Sequence, residues 1–211
     1  MIEVEKQKLL TELQERLLRV RGKIEKALVR ERIHADQPPP EIQAAEANEK
    51  MAYLFMRSVA GRRVDELTVL FHSPFFMYCE LEYEDSRKQV NLYIGKFIFI
   101  EEDIYSWVTP VATVRFESPG RVSFQTPKGE TRHAVMVKKE QFIVVDGKVL
   151  FYAVEELGKP RELIHQEHFT RKQGFVLPEI VAQMEKAQDA VIRAHHVGPF
   201  VISGPAGSVC L

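Results

Sequence analysis

The residues whose types and spacing best suit chemistry are Ser203-Gly204-Pro205-Ala206-Gly207-Ser208, at the mouth of the short apolar run Val197 to Ile202. Glycines in such a turn let backbone amides point inward and approach a phosphate with no side chain in the way. A helix N-terminus following the turn adds partial positive charge. The complete pattern is G-x-x-x-x-G-K-[ST], in which the lysine reaches the outer phosphates and the hydroxyl binds magnesium. Gly204 stands at its first position, but Val209, Cys210 and Leu211 follow, so the second glycine, the lysine and the Ser/Thr are missing. The expectation is an interrupted nucleotide cradle in a truncated, frame-shifted or fragmentary chain. The plainer alternative is that Gly204 to Gly207 is a tail with no site.

Other candidates carry less. His195-His196 would need two more ligands at fitting spacing to hold a metal; His165 and His168 invite a zinc site, but surface or loop histidines are the favoured reading. Cys79 and Cys210 are far apart in sequence and fit a reducing cytosol. Trp107, the one tryptophan, reads as a core or interface anchor ahead of a base-stacking platform. Arg62-Arg63 and Lys138-Lys139 read as solvated charges, with phosphate contact the sharper alternative. Glu31, Asp36 and Glu41 read as solubilising.

Three segments must position these residues, an α+β class in all. Residues 1–67 predict a helical hairpin with coiled-coil character. Leu10, Leu13, Leu17, Val20, Ile24 and Ala27 step by three and four as an apolar seam. Glu12, Glu15, Arg16, Arg19, Lys23 and Glu25 fall off it, toward water. Pro38-Pro39-Pro40 ends the first helix. A second helix is expected from about Glu41, with Ile42, Ala45, Ala52, Met56 and Val59 as its seam; two such helices project ~40 Å. Residues 68–158 switch to strand-like runs and predict an antiparallel sheet of about six strands, among them Lys96 to Ile100 and Val111 to Phe116. Turns fall at Ser118-Pro119-Gly120, Pro127-Lys128-Gly129 and Asp146-Gly147, the last a tight hairpin. Residues 159–211 return to helix, entered at Pro178, and end in the strand that feeds the glycine turn.

With these residues in place, the chain resembles UvrD/Rep-like superfamily 1 helicase ATPases, and most closely their helicase IV-like, RNA-polymerase-associated branch. The order carries the resemblance: a helical hairpin, Tyr93-Ile94-Gly95, Trp107-Val108-Thr109-Pro110-Val111, a basic β-hairpin at Val137-Lys138-Lys139, Gln188 in Met184 to Arg193, and then Gly204 to Ser208. The resemblance implies the start of a RecA-like P-loop domain over residues 159–211. It implies ATP with Mg2+ as cofactor of a full-length parent. Gln188 would hydrogen-bond the adenine edge, and Gly204, Pro205, Ala206, Gly207 and Ser208 would face the phosphates. Implied partners are DNA and, through the hairpin, RNA polymerase. Two departures stand out. Ser106-Trp107-Val108 replaces an Asp-Trp-Arg core, and the lysine, magnesium ligands and arginine finger that hydrolysis needs are lacking. The chain by itself is therefore expected to hold no ATP and to have no ATPase activity. The competing reading is a non-catalytic RNA-polymerase-binding coiled-coil module.

Bulk composition is compatible with either. The chain has 211 residues, 45% hydrophobic and 28% charged, so one large domain or a small domain with an appendage fits. A net charge of -1 supplies no global basic field, which leaves only a local groove for nucleic acid. The charged N-terminus is no signal peptide and no apolar run is long enough for a membrane span, so a cytoplasmic protein is expected.

Overall fold

The computed structural model describes residues 3–36, 46–126 and 129–167. These lie in one compact unit, Met1–His168. Helices at the N-terminus are followed by a mixed β-sheet, so the class is α+β. No helix among the described residues is long and apolar enough to cross a membrane.

Helix α1 (Glu3–Asp36) opens with Glu3 and Glu5, carboxylates that favour the positive end of the helix dipole. Its expected seam holds: Leu13, Leu17, Val20, Ile24 and Ala27 are buried. Helix α2 (Ala47–His72) starts later than Glu41, because Glu46 is its N-cap and donates its N–H to the Glu49 carboxylate at 3.2 Å. The α2 seam is also displaced by one residue from the expected set. Ala52, Met56 and Val59 are exposed, whereas Ala60 and Leu67 are buried and Tyr53 is half-buried. Both stripes satisfy helical spacing; which one faces α1 is decided by packing over the helix base. Ile42 and Ala45 lie outside the described residues, as do Pro38 to Pro40 and Pro127-Lys128.

Among the described residues seven strands follow: β1 (Met77–Tyr83), β2 (Gln89–Gly95), β3 (Ile104–Ser106), β4 (Gly120–Gln125), β5 (Thr131–Val145), β6 (Lys148–Glu156) and β7 (Glu162–Gln166). Their order is β3-β2-β1-β5-β6-β7, with β4 also on β5. The sheet is not wholly antiparallel, because β2 and β3 run parallel. Two expected strands do not form: Lys96 to Ile100 keeps only an isolated bridge from Phe99 to Ile104 ahead of the 3-10 helix η1 (Ile100–Glu102), and Val111 to Phe116 lies in the 3-10 helix η2 (Pro110–Phe116). Pro110 sits in the first turn of η2. The Thr109 and Thr113 hydroxyls donate to Ser106 O and Pro110 O, which stabilises the tight turns against extension.

Strand β5 organises two cores. Its register against β1 slips between Glu80 and Leu81, which pair with Lys138 and Met136, leaving Val137 as the extra residue of a bulge. A one-residue slip exchanges the faces of a strand. Before the bulge, Ala134 and Met136 join Cys79, Leu81, Leu92, Ile94, Val114 and Phe124 in one core. After it, Phe142 and Val144 join the α1 seam, Leu67, Leu70, Phe75 and Tyr152 in the other. The bulge also divides the outer edge: β4 pairs with Thr131–Met136 and β6 with Lys138–Val145. Asp146 and Gly147 have φ of 52° and 79° and form the expected tight turn. Gly147 docks that turn on α2 by donating its N–H to His72 O at 3.4 Å, with the His72 ring against the Asp146 carboxylate.

Candidate functional site

The described residues that stand apart from an ordinary core are a helical arm and the charged joint that roots it. At the joint, Glu140 of β5 is 0% exposed. Arg16 of α1 donates to Glu140 Oε2 at 3.2 Å, Tyr152 OH donates to Oε1 at 3.2 Å, and Lys138 Nζ also contacts Oε1. The Arg16 guanidinium lies 5.2 Å from the Tyr78 ring centroid and 5.8 Å from that of Tyr93. Tyr78 OH in turn donates to Asn91 Oδ1 at 2.9 Å. Burial, reinforced by neighbouring negative groups, raises the Tyr78 and Tyr152 phenols above their ordinary values. Burial opposes the charge on Arg16, but Glu140 together with Tyr93 and Tyr152 outweighs it, so the guanidinium is raised above its ordinary value. Arg16 is thus not one of the solvated off-seam charges the periodicity predicts. One salient sign of the joint in the sequence is a carboxylate interrupting the apolar run of β5.

Above the joint the arm is clamped by the loop ahead of β3. Glu102 meets Lys23, and Arg19 at 3.9 Å; Glu101 meets Arg30 at 3.4 Å; Arg63 donates to Ile98 O at 3.0 Å. Arg21 ties the two helices by donating to Phe71 O at 2.9 Å, and Arg57 does so near the free end through Ala35 O at 2.9 Å. Beyond the clamp, every residue from Ala47 to Val59 except Tyr53 is exposed.

The two motifs of the middle segment meet. Tyr93 and Gly95 of β2 pair with Ile104 and Ser106 of β3, and Trp107 N donates to Gly95 O at 2.9 Å. Arg115 of η2 donates to Trp107 O at 2.7 Å and lies over the Trp107 and Phe116 rings, 5.5 and 4.1 Å from their centroids. The cation beside the tryptophan therefore comes from eight residues downstream. Trp107 is half-buried and packs against the core that holds Ala134 and Met136, as an anchor does.

Val137-Lys138-Lys139 is no exposed basic hairpin. Lys138 serves Glu140, while Lys139 points to the opposite face, is buried and donates to Glu117 O at 2.8 Å. Burial lowers the Lys139 ammonium from its ordinary value, partly offset by Glu155. Across the strand from it, burial pushes the Cys79 thiol up to about 12. A folded-state value above the unfolded one near 9 gives stability that is complete below pH 9 and lost as pH rises toward 12. The urea midpoint should accordingly fall between pH 9 and 11, with Tyr78 and Tyr152 adding in the same direction. In a Cys210→Ser chain, Cys79 should resist a thiol reagent at pH 8 until the chain unfolds. Stoichiometric labelling of the native protein within minutes would contradict this burial.

Among the described residues no three His, Cys, Asp or Glu side chains gather as a metal site. His165 lies on β7 opposite Tyr152. His168, His195, His196, the helix expected at Pro178, the strand Val197 to Ile202, Gln188 and Gly204, Pro205, Ala206, Gly207 and Ser208 all lie outside the described residues. No protein-family model matches this chain, and the search of curated proteins returns no match either.

Proposed function

We propose that the chain is the N-terminal portion of a UvrD/Rep-like superfamily 1 helicase-type motor of the RNA-polymerase-associated branch, and that residues 3–72 form its coiled-coil arm for engaging the polymerase. The observation that carries the partner-binding half is an arm fixed at its root by a buried ion network and bare over Ala47 to Val59. The motor half rests on motif order in the sequence. In the full-length parent, Gln188 would read adenine and Gly204 to Ser208 would cradle the phosphates of ATP with Mg2+, at the start of a P-loop domain acting on DNA in the cytoplasm.

A second reading, a polymerase-binding module without catalysis, is favoured by the way the buried charges are used. Arg16, Glu140 and Lys139 are each satisfied by groups of the protein itself, as structural rather than catalytic ions are. One measurement tests the arm that both readings share, and a second separates them. Purified chain should pull down RNA polymerase core enzyme, and deletion of residues 25 to 45 should abolish the capture; capture indifferent to that deletion rejects the arm. Calorimetry with ATP and Mg2+ should give no measurable heat for this chain, because the lysine of the phosphate loop is missing. In a parent gene that continues through Gly-Lys-Thr, restoring the continuation should restore micromolar binding; failure there leaves the module reading.

A further inference from the structure

The α2 seam accounts for one side of the helix and leaves a second apolar stripe on the other. Met51, Leu54, Phe55 and Val59 are 71, 56, 68 and 42% exposed. Their spacing of i, i+3, i+4 and i+8 gathers them on one face. At 3.6 residues per turn, buried Ala60 lies two and a half turns from Met51, hence diametrically opposite. A helix apolar on two opposite sides is one that expects covering on both. Alpha-1 covers one. The ~25 Å from Ala47 to Arg63 carries Lys50, Arg57, Arg62 and Arg63 against the single carboxylate Glu49, a net +3. Arg57 is used on Ala35 O and Arg63 on Glu66 and Ile98 O, while Glu49 is used in the cap. Lys50 beside Leu54 and Arg62 one turn beyond Ser58 are exposed, and neither is engaged by an ion pair among the described residues. On this face Asp65, a turn nearer the base, closes the stripe.

We infer that the outward face of α2, with Met51, Leu54, Phe55 and Val59 as anchors, is a helix-in-groove docking surface for a protein groove with an apolar floor and an acidic rim. Alternating anchors on one helical face laid into an apolar groove is an established recognition mode, and the cations place the negative charge at the groove's edge. The inference rests on the polymerase-binding reading for its partner and names the flank of the arm, rather than its turn, as the contact.

The test is binding of the full chain to RNA polymerase core by biolayer interferometry at several salt concentrations. Phe55→Asp and Met51→Asp should each weaken binding at least tenfold. Met56→Asp, at 70% exposure but off the stripe, should stay within twofold. Arg62→Glu should weaken binding at low salt and flatten its salt dependence. Thermal melting should leave all four variants folded, since the altered side chains are exposed. Binding by the parent chain with equal affinity for Phe55→Asp and Met56→Asp overturns this surface while leaving the polymerase reading standing. Absence of binding by the unaltered chain overturns both. A concentration-dependent dimer in sedimentation velocity, abolished by Phe55→Asp, overturns the inference in favour of a second copy of this chain.

Discussion

Replacing Glu140 by leucine should destabilise the compact unit by about 3–5 kcal/mol in urea unfolding, the largest loss expected for any single polar side chain described. The carboxylate is wholly buried and serves Arg16, Lys138 and Tyr152 at once. Its removal leaves a guanidinium between two tyrosine rings with no counter-charge. Breaking a buried pair from one side costs far more than the pair contributes, because the surviving charge keeps its desolvation penalty. Lys138 and Arg16 are similarly exposed, at 22 and 20%, but Arg16 is also held against the Tyr78 and Tyr93 rings. The double variant Arg16→Met/Glu140→Leu should therefore recover much of the loss, with a coupling above about 1 kcal/mol. A loss below about 1 kcal/mol in Glu140→Leu, or strict additivity in the double variant, would show that the joint is not held by this network. Because the joint seats α1 on the sheet, hydrogen exchange along α1 should accelerate in step with the loss.

Gly95→Ala is expected to cost about 1–3 kcal/mol, a range set by overpacking of a tight core site. An added methyl would stand 2.5 Å from Pro74 O and 3.0 Å from Ile104 Cγ2. The first of these is backbone, carried by the segment that leads into β1, and cannot swing aside as a side-chain tip can. The cost arises from space alone. At Gly147 two effects combine: φ is +79°, disfavoured for any side chain, and the methyl would also meet Arg21 Nη1 at 2.1 Å. Gly95 O also accepts from Trp107 N, so displacement of this strand end should loosen the tryptophan loop as well. Tryptophan fluorescence in Gly95→Ala should report a more solvated Trp107 before global unfolding. A native spectrum together with an unchanged melting temperature would rule out the close approach.

Much of the architecture is legible in local pattern, and the exceptions are instructive. The three-four spacing of Leu13, Leu17, Val20 and Ile24 specifies which side of α1 is buried, because no competing apolar stripe on that helix is as continuous. Alpha-2 offers two stripes, and the sequence has no means of ranking them. Val111 to Phe116 is β-branched and aromatic enough to pass for a strand. Pro110 and the hydroxyls of Thr109 and Thr113 make it a 3-10 helix, and their hydrogen bonds become visible only once the backbone has turned. Lys138-Lys139 reads as a charged surface pair. Strand alternation sends the two amines to opposite sides of the sheet, and the bulge at Val137 decides which side each takes.

The sequence alone determined the class, the helical hairpin, the buried side of α1, the Asp146-Gly147 turn and the order of motifs on which the functional reading leans. Each of these follows from spacing or backbone preference within about a dozen residues. Tertiary structure decided the α2 register, the parallel β2–β3 pair, the two-core role of β5 and the meeting of Arg16 with Glu140, residues 124 apart in the chain. Partners so distant are chosen by which faces the packed core leaves in contact, a choice that no local window of the chain contains.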